Sequence, residues 1–478
     1  MALTQHALKV ISPAEMDDLH RATLKILAET GVVFECDEAL ELFKHHGAKV
    51  AGRTVFISEA LADQALLSCP DTFFHRARNP KHSILVGHQQ KKKVISSSYG
   101  PVNILDPETG IRPGTLEDYK ELLQLSQALE PVTMVGGLPV EPSDAHPRKK
   151  YFQMLHSILR HGDKPIWTFS SPRENIFKMF EMIKIAFGED DRLFDTPVTA
   201  APVCPLSPLK YDKNAAETIL AHARFRQPLY INSCILAGVS GPISLLGTAT
   251  LMNTEILAGM ILAQLAGPGT PVVYVPGATV ADMKSGAYVC GSPESNLIVT
   301  AGLQMALDRY RLPTRVMGGL SDARGLDYQC GAETMQNMFV PLMAGAHYLN
   351  NALGNMDGQM TTSLEKFVLD AESFARVLRV LDGFTEADRD LSLDLIQQEA
   401  HQGNYLMNPS TFGRFKDRWR PEVTPWQSRE HWENQGSPDA GEQARIRCRE
   451  ILAAAPESLL DRETDQALAS FVDQVEPI

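Results

Sequence analysis

The 478-residue chain lacks an excess of positive charge. It has 45 Lys and Arg residues against 58 Asp and Glu residues, which gives a formal net charge of -13. Nucleic-acid binding depends on clustered Lys and Arg side chains that neutralise phosphates. The one short basic run, Lys91–Lys93, is more typical of a solvated loop than of such a cluster. The charge balance therefore argues against a nucleic-acid-binding protein.

Cysteine is scarce and scattered. The seven cysteines form no C-x-x-C pair and no cluster with metal-site spacing, and their odd number and wide intervals argue against a disulfide framework. Four histidines, at positions 45, 46, 156 and 161, also lack helical metal-site spacing with a third ligand nearby. We therefore expect a reduced protein with no bound metal.

Long apolar runs are missing as well. The first residues lack the charged-then-apolar order of a signal peptide. No apolar run approaches the roughly 20 residues of a membrane span, because Asn253, Glu255 and Gln264 interrupt the longest candidate at 243–266. These absences predict a soluble, cytoplasmic protein that does not bind a membrane.

Residues 1–130 predict helices and extended segments that pack on the rest of the chain. Ser12 and Glu15 form a capping box around Pro13, which marks the start of a helix. The stretch 94–105 is typical of extended chain and contains the polar sequence 96–101. Thr115 marks a further helix start.

Residues 131–385 predict a (β/α)8 barrel, and residues 386–478 a C-terminal helical arm. Apolar, β-rich runs alternate there with helical stretches, which is typical of a parallel sheet covered on both faces. The runs lie at 132–135, 165–169, 198–203, 229–233, 272–275, 314–317 and 346–350. Seven such units without a dinucleotide-binding fingerprint favour a closed barrel over an open sheet. The Trp- and Pro-rich arm is expected to pack across the barrel or onto a partner subunit.

In such a barrel the reacting groups lie at the carboxyl ends of the strands. Polar or glycine residues lie at or just beyond the ends of several predicted strands: Ser170, Asn232, Gly318, Gly319, Asp322, Arg324, His347 and Asn351. Each has a plainer interpretation. His347 could be a hydrogen-bonded core histidine, Asn351 could cap a turn, and the Gly318–Gly319 pair could be a tight turn. Glu255 is expected in the first turn of a barrel helix, facing a polar pocket.

Several blocks of the sequence resemble the trimethylamine methyltransferase family. They lie at 106–118, 207–209, 253–264, 319–333, 344–347, 363–370 and 401–411, and so span most of the chain. The resemblance implies a (β/α)8 barrel that moves a methyl group from an amine to the Co(I) corrinoid of a separate small carrier protein. The corrinoid would therefore come with a partner.

One departure from the family narrows the substrate. Its methylamine-specific members carry pyrrolysine, and this chain has none. A tertiary amine is a poor methyl donor, because its leaving amide must first be protonated. A quaternary ammonium group instead leaves as a neutral tertiary amine and needs only positioning and desolvation. The resemblance then implies a quaternary amine, foremost glycine betaine, with dimethylglycine as product. Proline betaine, carnitine and γ-butyrobetaine remain alternatives.

A betaine has two ends that need different side chains. Its ammonium head favours aromatic faces and carboxylates, and its carboxylate favours hydrogen-bond donors. Candidates for the head are Tyr99, Trp167 and Glu255, and for the carboxylate His347, Asn232, Asn351 and Arg324. By resemblance, Tyr99 and His347 are the foremost of these, on loops that open at the barrel mouth. Asp322, Gln329, Gly318 and Gly319 are expected to orient the substrate or to face the corrinoid.

Two other classes of function stay open at this point. A non-catalytic betaine-binding barrel would bind the same ligand without transferring a methyl group. A metal-dependent hydrolase is disfavoured, because no His-x-His or carboxylate cluster ends a predicted strand. The Trp-rich arm also predicts a homo-oligomer.

Overall fold

The α-helices begin where the sequence supplies caps. In the computed structural model, which describes residues 8–401 and 403–477, the Ser12 backbone N–H donates to Glu15 Oε2 at 2.8 Å and completes the predicted capping box. Thr115 and Asp118 form a second one. The α-helices are α1 (Pro13–Lys25), α2 (Asp37–His45), α3 (Glu59–Ser68), α4 (Leu116–Ala128), α5 (Lys150–His161), α6 (Arg173–Phe187), α7 (Lys213–Arg224), α8 (Leu245–Ala266), α9 (Pro293–Gln304), α10 (Tyr328–Met343), α11 (Leu364–Leu381), α12 (Leu393–Glu399), α13 (Pro409–Arg414), α14 (Arg429–Asn434), α15 (Ala440–Ala454) and α16 (Arg462–Gln474).

The strands are short. They are β1 (Val32–Phe34), β2 (Lys49–Ala51), β3 (Thr54–Phe56), β4 (Thr72–His75), β5 (Ile84–Gly87), β6 (Val94–Ile95), β7 (Asn103–Asp106), β8 (Gly110–Pro113), β9 (Val135–Gly136), β10 (Ile166–Trp167), β11 (Ala201–Val203), β12 (Lys210–Tyr211), β13 (Leu229–Ser233), β14 (Leu236–Ala237), β15 (Val272–Pro276), β16 (Thr279–Ala281), β17 (Tyr288–Val289), β18 (Arg315–Met317), β19 (Tyr348–Asn350), β20 (Asn355–Met356) and β21 (Thr361–Thr362).

Eight of these strands form three parallel groups at the centre of the α/β fold. The groups are β9–β10, β11–β13–β15 and β18–β19–β6. Backbone hydrogen bonds join one group to the next. The N–H of Thr133 donates to Ile95 at 3.0 Å, that of Thr168 to Ala200 at 2.7 Å, and that of Tyr274 to Pro313 at 2.8 Å. The predicted parallel strands are thus confirmed.

Side chains on the central strands alternate between two environments, as a period of two requires. In β13, Leu229 and Ile231 pack in an apolar cluster with the helices, whereas Tyr230 joins a separate buried cluster on the opposite face, which we call the enclosed cluster. That enclosed cluster contains Phe73, Val86, Val94, Met134, Trp167, Ala200, Tyr230, Val273, Val275 and Tyr348. Side chains of the enclosed set that lie near the carboxyl ends are the candidates for function.

The predicted boundaries at residues 130 and 385 stay predictions, but strand pairing crosses the first of them. β6 belongs to the N-terminal 130 residues and pairs in parallel with β19, so it is a central strand. β1 likewise pairs with β12. In the C-terminal part, α15 packs on α4 and α11, and α16 packs on α5 and α6.

Helix α8 corrects one expectation. Within the part of the chain that the structure describes, it is the one helix long and apolar enough to cross a membrane by length and composition. The sequence prediction that no apolar stretch reaches this length is wrong, because Asn253, Glu255 and Gln264 are all accommodated within the helix. Most of α8 is buried, and it packs against α1, α3, α7, α9 and β13. These contacts are those of a core helix.

Buried histidines predict a loss of stability in acid. Burial lowers the pKa of His222 from 6.5 to about 4, so the folded chain leaves this ring neutral where the unfolded chain protonates it. Its stabilising contribution is complete above pH 6.5 and is lost as the pH falls towards 4, at about 1.4 kcal/mol per pH unit. We expect His222→Phe, which keeps a ring against Phe180, to make the free energy of unfolding less pH-dependent between pH 6.5 and 4. Denaturant unfolding at several pH values checks this. An equal slope in both proteins would contradict it.

Candidate functional site

Aromatic rings cluster inside the central strands. Tyr99 follows β6, and its ring centroid lies 5.1 Å from that of Trp167 at the end of β10. Trp167 in turn lies 6.1 Å from Tyr230, and Tyr230 lies 5.6 Å from Tyr348. Tyr99 is half-buried and the other three rings are fully buried. The structure therefore brings the predicted pair, Tyr99 and Trp167, together.

A buried arginine that the sequence analysis did not single out completes this cluster. Arg315 begins β18 and is 2% exposed. Its guanidinium carbon lies 5.2 Å from the Trp167 ring centroid and 5.7 Å from that of Tyr230. Burial lowers its pKa from the ordinary value. Among the described residues, no carboxylate forms an ion pair with Arg315, and its Nε and Nη1 atoms lack hydrogen-bond partners.

The orientation of Arg315 is fixed by one amide. Its Nη2 donates to Asn350 Oδ1, and Asn350 Nδ2 donates to Ser96 Oγ and to the Ser97 carbonyl, both at 2.9 Å. Because both ends of the Asn350 amide are engaged, the amide cannot rotate away. The remaining guanidinium N–H groups are left for a ligand. A buried cation without a counter-ion is costly unless an anion pairs with it.

Two predicted asparagines lie near the same cluster. Asn232 of β13 alternates to the enclosed side with Tyr230, and its Nδ2 lies 3.8 Å from Cys204 Sγ. Asn351 donates from Nδ2 to Gln359 Oε1 at 2.9 Å. Within residues 8–401 and 403–477, nothing donates to the Oδ1 atom of either side chain. Both therefore have an acceptor available to a ligand.

Glu255 lies on the other side of the sheet. It sits in the middle of α8, so the prediction that it occupies a first turn is wrong. Its Oε1 accepts from the Leu209 N–H at 2.7 Å, and its Oε2 accepts from Ser207 Oγ at 2.8 Å and Ser233 Oγ at 2.6 Å. Burial raises its pKa and these bonds oppose the rise. Because Ser233 alternates to the helix side of β13, Glu255 does not reach the aromatic cluster.

His347 lies at the opposite end of the strands from the predicted position. It precedes β19, so its placement at a loop opening on the mouth is wrong. Its Nδ1 lies 3.1 Å from the Thr314 N–H and hydroxyl, and its ring lies 5.0 Å from that of His88. The end of the sheet at which His347 lies depends on where β19 begins, and β19 begins at the next residue, Tyr348.

The predicted residues that follow β18 differ in their surroundings. Asp322 accepts the N–H groups of Cys290, at 2.9 Å, and Gly291, at 2.8 Å. Gln329 is exposed and donates to Glu333 Oε1 at 2.9 Å. Arg324 is 83% exposed beside Asp357. Asp322 thus holds two loops together, while Arg324 and Gln329 remain accessible on the surface.

Gly318 and Gly319 are required by packing. A Cβ on Gly319, whose φ is 69°, would lie 2.3 Å from the Ala352 carbonyl oxygen, and one on Gly318 would lie 3.1 Å from Leu349. The Gly319 carbonyl accepts from Lys366 Nζ at 3.0 Å, and Lys366 also pairs with Asp370 at 2.6 Å. These glycines hold the turn after β18 and do not line an opening.

Large apolar side chains are exposed around the carboxyl ends of the strands. We call this set the apolar rim: Val102, Leu206, Val239, Ile243, Met283, Tyr328 and Met360. Its members lie in the segments that follow six different central strands, and Ile243 and Met283 meet at Gly238. No group of three or more His, Cys, Asp or Glu residues that could hold a metal occurs in the described ranges.

Comparisons with known proteins agree with this architecture. The model of the trimethylamine methyltransferase (MTTB) family matches residues 2–476. A glycine betaine methyltransferase of Desulfitobacterium hafniense (strain Y51) is 32% identical over 97% of this chain and 96% of its own. A proline betaine:corrinoid methyltransferase of Eubacterium limosum is 31% identical over 89% of this chain and 86% of its own. The crystal structure of the Methanosarcina barkeri monomethylamine methyltransferase is 14% identical, with a TM-score of 0.52 over 94% of this chain and 90% of that one.

Proposed function

Because the chain belongs to the trimethylamine methyltransferase family, we propose that it transfers a methyl group from glycine betaine to a Co(I) corrinoid held by a separate carrier protein. The products are dimethylglycine and the methylated carrier. The family membership shows that the chain is a methyltransferase. The choice of a carboxylate-bearing quaternary amine rests on Arg315.

The proposed substrate is inferred mainly from the buried side chain of Arg315. A guanidinium that is 2% exposed and has no counter-ion among the described side chains needs an anion to offset its burial. A carboxylate matches it in charge and hydrogen bonding. We therefore assign the ligand carboxylate to Arg315. His347 and Arg324, which were predicted to bind it, do not lie in the aromatic cluster.

The ammonium head of the ligand lies against Tyr99 and the adjoining edge of Trp167. Aromatic faces attract a quaternary ammonium group, which has no N–H to donate. Arg315 already lies over the Trp167 ring, so Tyr99 supplies the free face. Burial raises the pKa of Tyr99, which keeps the phenol neutral. Asn232 and Asn351, with their available Oδ1 atoms, border the same space.

The residues of this chain position and desolvate the substrate. The corrinoid, when its carrier docks, supplies the Co(I) nucleophile that accepts the methyl group. A quaternary ammonium nitrogen leaves as a neutral amine, so no acid is required to activate it, and the sequence contains no pyrrolysine. Orientation and exclusion of water are then the contributions that matter most.

The proposal takes the eight central strands as a closed (β/α)8 barrel. Support comes from the three backbone hydrogen bonds that join the strand groups in a ring, and from the cluster enclosed by them. The substrate then lies at the carboxyl ends of the strands, where such barrels hold their active sites. The N-terminal segments and the C-terminal arm pack around this barrel.

The apolar rim fits the approach of a corrinoid carrier. It surrounds the carboxyl ends under which Tyr99 and Arg315 lie, and a protein interface is typically apolar at its centre. Gly286 and Gly325 have no neighbouring atoms within 4 Å of an added Cβ, so they leave open space. The space beside Gly277 is instead occupied by the Asn232 side chain. A cytoplasmic location and a homo-oligomeric state remain part of the proposal.

Methyl transfer can be tested directly with the purified chain, a Co(I) carrier protein and glycine betaine. We expect dimethylglycine to form and the corrinoid absorption spectrum to change, and neither change without the chain. Proline betaine, L-carnitine and γ-butyrobetaine in parallel rank the alternatives. If none of the four is demethylated, although the chain binds them, it is a betaine-binding protein. If none is bound, the proposed substrate class is wrong.

A further inference from the structure

Two of the seven cysteines are exposed and follow neighbouring strands. Cys204 directly follows β11 and Cys234 directly follows β13, and these strands pair in parallel. Both side chains are exposed. The other cysteines are more enclosed: Cys36, Cys290, Cys330 and Cys448 are buried, and Cys69 is half-buried. The two exposed cysteines therefore lie at the carboxyl ends of neighbouring central strands.

The contacts of the two thiols place them next to the candidate site. Both thiols lie near the Asn232 amide, because a Cβ on Gly277 would lie 2.2 Å from Asn232 Oδ1 and close to Cys234 Sγ. Cys204 Sγ lies 3.8 Å from Asn232 Nδ2, and Cys234 Sγ would lie 3.1 Å from a Cβ on Gly277. Cys204 also interacts electrostatically with Arg315. The sulfur pair thus borders both Asn232 and the approach to the guanidinium.

The two sulfurs differ in reactivity. The neighbouring Cys234 thiol, with the charge of Arg315, holds the pKa of Cys204 below its usual value. The neighbouring Cys204 thiol raises the pKa of Cys234. Burial raises the pKa of Cys69 to about 12. Because the thiolate is the nucleophile, Cys204 is the attacking sulfur and Cys234 is the resolving one.

We propose that Cys204 and Cys234 form a redox modification site, at which a peroxide converts the two thiols into a reversible disulfide. The Cys204 thiolate attacks one peroxide oxygen and breaks the O–O bond, which yields a sulfenic acid and, with a proton, water. Cys234 then attacks the Cys204 sulfur and releases a second water. The two electrons lost by the sulfurs reduce the peroxide, and a dithiol reductant reverses the change.

The disulfide closes the site beside it. An S–S bond is about 2.0 Å long, so the loops after β11 and β13 are drawn together and Cys204 moves away from the Asn232 amide. The approach to Arg315 narrows as a result. This consequence rests on the proposed function, whereas formation of the bond itself does not. A Co(I) nucleophile is sensitive to oxidants, so a site that closes under peroxide withholds the substrate when transfer would be unproductive.

The full-length reduced protein is titrated with hydrogen peroxide and followed by intact mass and peptide mapping. We expect the loss of two hydrogen atoms, one cross-linked peptide pair containing Cys204 and Cys234, and full reversal by dithiothreitol. Glycine betaine binding, measured without any carrier protein, is expected to fall about tenfold or more and to recover on reduction. If reduced protein binds no betaine but the cross-link forms, the modification site stands and the proposed substrate fails.

Single variants separate the two roles. Cys234→Ser is expected to stop at a sulfenic acid on Cys204 that dimedone traps. Cys204→Ser is expected to lose the rapid reaction, and Cys69→Ser, the matched control, is expected to form the cross-link as the unaltered protein does. Phenylarsine oxide, which needs two neighbouring thiols, is expected to bind only where both are present. Independent oxidation of the two cysteines without a cross-link, or equal reaction at Cys69, overturns the proposal.

Discussion

Replacing Arg315 by Met is expected to lower the affinity for glycine betaine about 100-fold or more, or ~3 kcal/mol. The variant removes the buried cation that the ligand carboxylate would neutralise, while Met fills a similar length of the enclosed space. Calorimetric titration with the purified chain measures the change without a corrinoid. A ligand without a carboxylate, tetramethylammonium, is the comparison, and its binding is expected to weaken little or not at all.

Two further variants make the Arg315 result specific. Arg315→Lys keeps the charge but loses the planar fork of donors, so an intermediate loss of about tenfold is expected. Arg324→Met removes an arginine that is 83% exposed, and its binding constant is expected to stay within about twofold. Equal losses at Arg315 and Arg324 would contradict the assignment of the carboxylate to Arg315.

The Arg315→Met substitution is not expected to lower the stability of the ligand-free protein, although it lowers the affinity for the ligand. Without ligand, Arg315 is a buried charge with no carboxylate partner among the described residues. Replacing such a charge with an apolar side chain is often neutral or stabilising. Thermal unfolding of ligand-free Arg315→Met is therefore expected at the same temperature or higher. This separates loss of binding from loss of fold, because a misfolded variant would unfold earlier.

Replacing Lys366 by Met is expected to destabilise the fold by about 3–5 kcal/mol. Lys366 and Asp370 are an i,i+4 pair on α11 with side chains 1% and 4% exposed. Lys366 also donates to the Gly319 carbonyl, and Asp370 accepts from the Gly354 N–H at 2.8 Å. Burial raises the pKa of Asp370 to about 6 even beside the lysine. Removing the lysine leaves a buried carboxyl without its partner.

The double variant Lys366→Met with Asp370→Leu tests whether pairing is the cause. It is expected to be more stable than Lys366→Met alone, because no charge is then left unpaired. Lys25→Met is the control, since Lys25 and Glu29 form an i,i+4 pair with both side chains mostly exposed, and its cost is expected to be below about 0.5 kcal/mol. Denaturant unfolding measures all of these. Additive losses in the double variant would contradict a paired role.

Much of the secondary structure could be predicted because its signals are local. Ser12 and Thr115 mark helix starts through bonds that span three residues, and the predicted strands at 229–233 and 272–275 match β13 and β15 closely. Long-range pairing was not available from the sequence. No local pattern indicates that β6, far from the other central strands, lies beside β19.

The candidate site could be predicted only in part. Tyr99 and Trp167 do meet, as predicted. Arg315 was not predicted, because functional residues of a barrel are expected after each strand and Arg315 is the first residue of β18. The signal was present: a single charged residue in the apolar run 314–317 requires an explanation. The prediction for His347 was wrong because the residue precedes β19, and a shift of a few residues in a strand boundary changes the end of the strand at which a residue lies.

The pairing of β6 with β19 has a consequence for biosynthesis. Asn350 bonds to Ser96 across 254 residues of chain, so the segment that holds Arg315 in place cannot form until the chain beyond residue 350 has left the ribosome. Contacts of such sequence separation slow folding and prolong the exposure of unpaired strand edges. A nascent chain truncated before β19 would therefore present an open edge at β6, which makes this protein a candidate client for chaperones during its own synthesis.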